Sequence, residues 1–389
     1  MFKKVSKKII FLLIVVIVGG LGGIIADHYI FPSLSSTKWF SRYGFLKKFT
    51  EDVTVINKTE QVFVKEETSI SKISSQVSAT VVNITVYPAA PDKLPLKKFL
   101  EAGETKNSAG TIVTSDGLIM TYASAIFSDQ SGDQKYKVMT ADGGNYDAEF
   151  MGTDAYSNLS FLKINASNLP VVPLGNSDDS KPGEKIIAIG NNLGDYSDRY
   201  AAGLLSSFDP TYNLAGASLS YSDKLEGVFH TDFNSEQDYI GGPIVDYTGQ
   251  AVGIIGSVKR SGQEEFFQIP SNKVKKVIER AMKKELDKNP MLGIYYIPIT
   301  KTYALNNNLG ADKGALIFSP SGQQGLAIIS GSVGQKAGLQ INDIVKAVNG
   351  QEVNLEKTLP DLLYQYKKGD EIELTVLRGG QEIKLKAAL

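Results

Sequence analysis

The sequence predicts a mostly β chain: a barrel or sandwich of short strands, then a second domain of about 100 residues, with one apolar helix ahead of both. Three observations lead there. From Ala79 onward, short β-prone runs alternate with turn residues. An uncharged apolar stretch follows a lysine-rich start. Asn289-Pro290 breaks the chain just after its first long amphipathic pattern.

The apolar stretch comes first. Lys3, Lys4, Lys7 and Lys8 precede it, and no charge occurs from Ile9 to Ala26. At a helical rise of about 1.5 Å this run spans roughly 27 Å, close to a bilayer's hydrocarbon core. The lysines place the N-terminus in the cytoplasm and the remainder outside. A cleaved signal peptide has a similar start, but the run is long for one and no small-x-small site follows. Residues 1–30 therefore read as a basic tip and a transmembrane anchor, with Gly19 and Gly23 forming a weak helix-packing step. Residues 31–66 read as a stalk, within which 53–64 is β-prone.

Further elements follow in order. Ile70, Ile73 and Val77 fit one face of a short helix over 69–77. Strands are expected at 80–86, 110–113, 159–164 and 185–189, with Gly117, Asp154, Asn176 and Gly183 between or beside them. A helix is expected over 271–286, with Ser271 as its N-cap and Val274, Val277, Ile278 and Met282 as its apolar stripe.

Composition limits the chemistry. The chain has 389 residues, 42% hydrophobic and 21% charged, with a net charge of −1, an ordinary globular balance with no field favouring nucleic acid. There is no cysteine, which removes disulfides and thiolate metal sites. Histidine occurs only at His28 and His230, so any imidazole mechanism must use one of them. No clustered His and carboxylate pattern suggests a metal, and no cofactor is expected.

Ordered blocks across 67–286 resemble the trypsin-like domain of the HtrA (Do-like) serine proteases. Residues 108–121 (Ser-Ala-Gly-Thr-Ile-Val-Thr-Ser-Asp-Gly-Leu-Ile-Met-Thr) are similar to the strand-turn-strand before the family's catalytic histidine. Residues 152–164 resemble the block carrying its aspartate, and 174–178 with 182–191 a further signature. Residues 231–245 resemble the nucleophile block, and Ile269-Pro-Ser-Asn272 the domain's close. The resemblance implies a double β-barrel, and a triad whose positions do not match. Ser124 stands where the family has histidine, Asn158 where it has aspartate and Ile240 where it has serine. The oxyanion loop is altered as well: Asp238 replaces a glycine, followed by Tyr239, Ile240 and Gly241.

An isoleucine has no lone pair to attack a carbonyl, serine is no base at neutral pH, and asparagine cannot steady an imidazolium. Loss of a comparable triad costs on the order of 10⁶ in turnover. His230, beside Thr231 and Asp232, reads as a strand or cleft-wall histidine, His28 as interfacial, and Ser235 as a loop serine without a base.

Residues 290–389 resemble the small α+β PDZ domain that follows HtrA protease domains, through 325–339, 341–350 and the hairpin 371–385 around Gly379-Gly380. By that resemblance Met291, Leu292, Gly293 and Ile294 form a carboxylate-binding loop. Leu359 and Leu363, on a helix within 357–366, flank its groove, which is open or self-occupied. The function implied is a membrane-anchored extracytoplasmic pseudoprotease. It would bind extended or misfolded polypeptides or C-termini as a chaperone, scaffold or regulatory subunit in envelope protein quality control, as a homotrimer or with active homologues. The alternatives are a serine endopeptidase with a relocated centre, and a structural envelope scaffold with closed grooves.

Overall fold

The computed structural model describes residues 7–26, 70–88, 106–127, 134–191, 198–215, 219–233, 236–260, 262–322 and 324–389. The chain divides into two compact units, Met1–Ser71 and Lys72–Leu389. In the first, α1 (Lys7–Ile25) is a helix of 19 residues whose apolar side chains from Phe11 to Val18 are exposed. Among the described residues no helix is long and apolar enough to cross a membrane. Lys7 and Lys8 take up the start of α1, so its apolar part sits at the lower limit for a bilayer core. His28, the stalk at 31–66 and its β-prone stretch lie outside the described residues.

The helix α2, residues 70–78, leads into the second unit with Ile73 and Val77 buried. Six antiparallel strands then close a first barrel in the order β1-β2-β3-β6-β5-β4. They are β1 (Val81–Pro88), β2 (Lys106–Ile112), β3 (Leu118–Tyr122), β4 (Gln134–Met139), β5 (Asn145–Thr153) and β6 (Leu159–Ile164). Val82, Ile84, Ile119, Phe161 and Leu162 fill the interior, and a one-turn helix, α3 (Ala123–Ile126), follows β3.

The second barrel closes in the order β10-β13-β12-β11-β7-β8. Its strands are β7 (Lys185–Asn191), β8 (Asp198–Asn213), β10 (Glu226–Thr231), β11 (Pro243–Asp246), β12 (Ala251–Arg260) and β13 (Gln263–Pro270). Closure pairs every strand on both sides and leaves no open edge. A two-residue strand, β9 (Ser220–Tyr221), leaves this barrel between β8 and β10.

Helix α4 (Ser271–Met282) packs Val274, Val277 and Ile278 into the barrel core. It is shorter than the periodicity predicts, because Lys284 turns to φ 56° and ends the winding, although Leu286 beyond it is still buried. Ser271 is not its cap: Pro270 precedes the helix, and the Ser271 hydroxyl donates to Gly175 O at 2.8 Å. Ser177 Oγ instead accepts the Asn272 N–H at 3.1 Å.

The C-terminal domain is a sheet in the order β19-β18-β16-β15-β14-β9, with β17 against β16. The strands are β14 (Tyr295–Pro298), β15 (Ala315–Ile317), β16 (Ile344–Val348), β17 (Gln351–Glu352), β18 (Glu371–Arg378) and β19 (Gln381–Ala388). Short helices α5 (Lys301–Asn306), α6 (Gln324–Ala327), α7 (Val333–Lys336) and α8 (Leu359–Leu363) complete it. The last strand of this sheet, β9, belongs to the preceding domain.

Candidate functional site

The seam between the barrels brings Ser124, Asn158 and Ile240, the residues that the resemblance sets at the triad positions, onto neighbouring elements. β3 runs into α3, so Ser124 sits just past Tyr122, and the Ala123 N–H donates to Asn158 O at 2.9 Å. Ile240 follows a 3-10 turn at Glu236–Tyr239. β12 touches both sides of the seam: Ile255 O accepts the Gly241 N–H at 2.9 Å, and Ser257 Oγ lies 3.0 Å from Ser124 Oγ.

The side chains there make a different network from an acid–base relay. Ser257 donates to Glu264 Oε1 at 2.7 Å, continuing a polar row from Ser124. Asn158, at φ 59°, donates through Nδ2 to Tyr122 OH at 3.2 Å. Its Oδ1 accepts from Lys224 Nζ at 2.7 Å, and Lys224 also donates to Ala155 O at 2.7 Å. Burial lowers the Lys224 ammonium from its usual range, against the raising charges of Asp154 and Asp223. Ile240 is 8% exposed and shares a core with Tyr122, Ile254 and Phe267.

The altered loop has a partner that the sequence did not disclose. Asp238 forms an ion pair with Arg199 of β8, which offsets its carboxylate. Tyr239 is buried, and burial raises its phenol, with the Asp238 charge adding to the rise. Gly241 takes φ 85°, where a side chain is strained, and a Cβ there would also strike Thr121 and Ala109 O.

His230 lies elsewhere on β10, opposite Ser207 of β8. Its ring stands edge-on to Tyr212 at 5.4 Å, Tyr212 meets Phe267 at 5.5 Å, and Phe267 meets Tyr122 at 5.8 Å. Two aromatic rings thus lie in the row between the imidazole and Tyr122. Asp232 Oδ1 accepts the Leu204 N–H at 2.6 Å, and Thr231 Oγ1 accepts from Gln268 at 3.1 Å. His28 and Ser235 fall outside the described residues. Among the described residues no group of three or more His, Asp or Glu side chains could hold a metal.

The backbone N–H groups of residues 292–294, which the resemblance assigns to a carboxylate loop, are engaged within the chain. Asp223 Oδ1 accepts the N–H groups of Leu292 at 2.8 Å and Gly293 at 3.2 Å. Ser222 Oγ accepts the Ile294 N–H at 3.1 Å, and the Ser222 N–H donates to Ile294 O at 3.0 Å. β9 then pairs antiparallel with β14, Tyr221 opposite Tyr295 and Ser220 opposite Tyr296. Leu292, Ile294, Leu359 and Leu363 are buried, whereas Met291 is 58% exposed. Gly293 has φ 73°, and a Cβ there would meet Ser332 Cβ at 2.6 Å. Glycine at 293 is therefore required by the domain's own packing.

Around this loop the two domains are joined by buried polar groups that sequence reasoning missed. Tyr296 OH donates to Glu226 Oε2 at 2.6 Å, and Ser220 to the other oxygen. Lys273 on α4 pairs with Asp361 on α8 at 2.7 Å, and Tyr156 OH donates to the same carboxylate at 2.5 Å. Burial raises Asp361, but the charge and hydrogen bond of Lys273, with Tyr156 and Thr358, outweigh it and hold the carboxyl below its usual value. Tyr156 and Tyr364 stack at 4.0 Å, and the Arg280 guanidinium lies 4.2 Å over the Tyr364 ring while donating to Tyr364 O and Tyr366 O.

Two barrels with a seam of this kind, joined to a sheet with a carboxylate loop, define a trypsin-like peptidase domain followed by a PDZ domain. Residues 108–254 match the trypsin-like peptidase domain family and residues 292–389 the PDZ domain family. The chain is similar to the Do-like HtrA serine proteases, and its PDZ domain follows the trypsin-like one. It is 31% identical to the serine protease Do-like HtrA of Bacillus subtilis over 66% of this chain and 58% of that one. To the putative serine protease HhoB of a Synechocystis species it is 28% identical over 71% of this chain and 64% of that one. It thus spans less than two thirds of these curated relatives. The solved HtrA-type protease AlgW with tripeptide shares the fold, with a TM-score of 0.61 and 23% identity over 82% of this chain and 95% of that one.

Proposed function

We propose that this chain is a pseudoprotease: an extracytoplasmic, membrane-anchored HtrA homologue that binds extended or misfolded polypeptide, or protein C-termini, without cutting it. The observation that carries this reading is Ile240. It occupies the position the family gives to its nucleophile, and its side chain is packed into the apolar core. Ser124 and Asn158 support it, since among the described residues Ser124 meets Ser257, and Asn158 meets Tyr122 and Lys224. Asp238 supports it too, because it stands where the family has a glycine whose conformational freedom helps aim the oxyanion N–H groups, and its side chain is committed to Arg199.

Peptide binding is supported by the fold it shares with AlgW, a protease solved with a decapeptide. The lysines before α1 and the exposed apolar face of that helix support membrane attachment. Relatives described as periplasmic support the extracytoplasmic side. Service as a chaperone or regulatory subunit, as a homotrimer or beside active homologues, belongs to the same proposal.

The test incubates the full chain with unfolded casein and a fluorophosphonate serine probe, next to an active homologue. Neither cleavage nor labelling is expected. Cleavage would overturn the reading, and cleavage lost in His230→Ala would mean a relocated centre. The occupied carboxylate loop favours a second reading, a structural envelope scaffold whose groove is closed.

A further inference from the structure

The loop 291–294 has three backbone N–H groups aimed at one place, those of Leu292, Gly293 and Ile294. In a domain of this class such a nest receives the terminal carboxylate of a peptide that adds a strand to the sheet edge. Here all three are satisfied from within the chain, two by Asp223 Oδ1 and one by Ser222 Oγ. The match extends beyond the charge. The Ser222 N–H donates back to Ile294 O at 3.0 Å, and Tyr221 and Ser220 continue as a strand on β14. Each of these is a bond that an added peptide strand would make.

The segment is held on both flanks. Ser220 donates to the buried Glu226, which also accepts from Tyr296 beneath it, and the Tyr221 ring lies 4.8 Å from that of Tyr295. Ser220 and Ser222 are buried. One feature weakens the hold. Asp223 reaches the nest through Oδ1 alone, whereas a free terminal carboxylate can place both its oxygens there.

We infer that residues 220–223 are an internal ligand of the PDZ groove, with the Asp223 side chain standing in for a peptide's terminal carboxylate, and that an external C-terminus enters only by displacing it. The occupant it mimics fixes the class of competitor. That competitor is an extended peptide with a free carboxylate, a small polar last residue and an aromatic residue before it. The inference rests on reading 290–389 as a peptide-binding domain, and it does not depend on whether the barrel seam is catalytic.

The experiment uses the full chain, its Asp223→Ala variant, and Asp223→Asn as a milder change in case alanine impairs folding. Backbone amide exchange is followed at 292–294, with the hairpin strands β18 and β19 as the internal control for folding. The probe is a fluorescent peptide of residues 217–222 ending in the free carboxylate of Ser222, with its amidated form alongside. Loss of a charged acceptor shared by two N–H groups should speed exchange at 292–293 by roughly tenfold or more while the hairpin is unchanged. The probe should bind the variants at least about tenfold more tightly than the parent and restore protection, and the amide should not. Unchanged exchange at 292–294 overturns the internal ligand whatever the probe does, and so does equal probe affinity in parent and variants. Faster exchange without any probe binding keeps the internal ligand and counts instead against the peptide-binding reading.

Discussion

Glu226 is 1% exposed, and its two oxygens accept from Ser220 and Tyr296. Burial pushes its carboxyl up to about 7, against the lowering effect of those two hydrogen bonds and of Lys273, while the Asp361 charge adds to the rise. A carboxyl raised from 4.5 to about 7 on folding takes up a proton between those values. Its contribution to stability is therefore complete below about 4.5 and is lost as the pH rises through about 7. The loss is on the order of 3 kcal/mol. Glu226→Gln keeps the shape and a hydrogen-bonding amide but cannot titrate. Urea denaturation at pH 5 and pH 8 should show the parent losing stability across that window, and the variant losing markedly less. An equal loss in both would assign the pH dependence to other groups.

Between elements, α4 and α8 are coupled through Lys273 and Asp361, whose side chains are 15% and 13% exposed. Three donors converge on that carboxylate: Lys273, Tyr156 and Thr358. Removing one partner of such a pair leaves an uncompensated buried charge, a cost of about 3–5 kcal/mol. Asp361→Ala should lower the denaturation midpoint accordingly, and Lys273→Met combined with it should recover part of the loss. A double variant as unstable as the sum of the singles would mean that the two residues act independently.

None of this coupling was legible in the sequence. Asp361 and Lys273 look there like ordinary solvated charges, and only the packing of one helix on another reveals them as a buried pair. The same holds for Glu226 and Asp223. By contrast, β6 runs over Leu159–Ile164, the span its pattern predicts, because Leu159, Phe161, Leu162 and Ile164 supply the apolar positions of a buried strand. The hairpin turn at Gly379-Gly380 was equally readable, since φ values of 56° and 84° select glycine. Arg199 beside Asp238 was not readable, as it comes from a strand 39 residues away. The periodicity of 271–286 overshot because helical spacing persists past Lys284 while the backbone does not.

At the scale of the whole chain, the proposed location rests on α1. Its lysines and apolar run predict that the full chain stays with the membrane pellet after alkaline carbonate washing, while a variant lacking residues 1–30 moves to the supernatant. Release of the full chain by the wash would remove the anchor from the proposal. The second unit behaves as one body in packing, since the core that fills the first barrel also takes in Leu286 and, from the PDZ domain, Tyr364.

The splice through β9 also orders events during synthesis. The second barrel is translated first, so the strand that borders the PDZ sheet exists before the rest of that sheet leaves the ribosome. The emerging domain meets a finished template, and its β14 edge is covered as soon as it forms. A nascent chain built this way withholds from its neighbours the row of unpaired backbone groups on which other chains could nucleate.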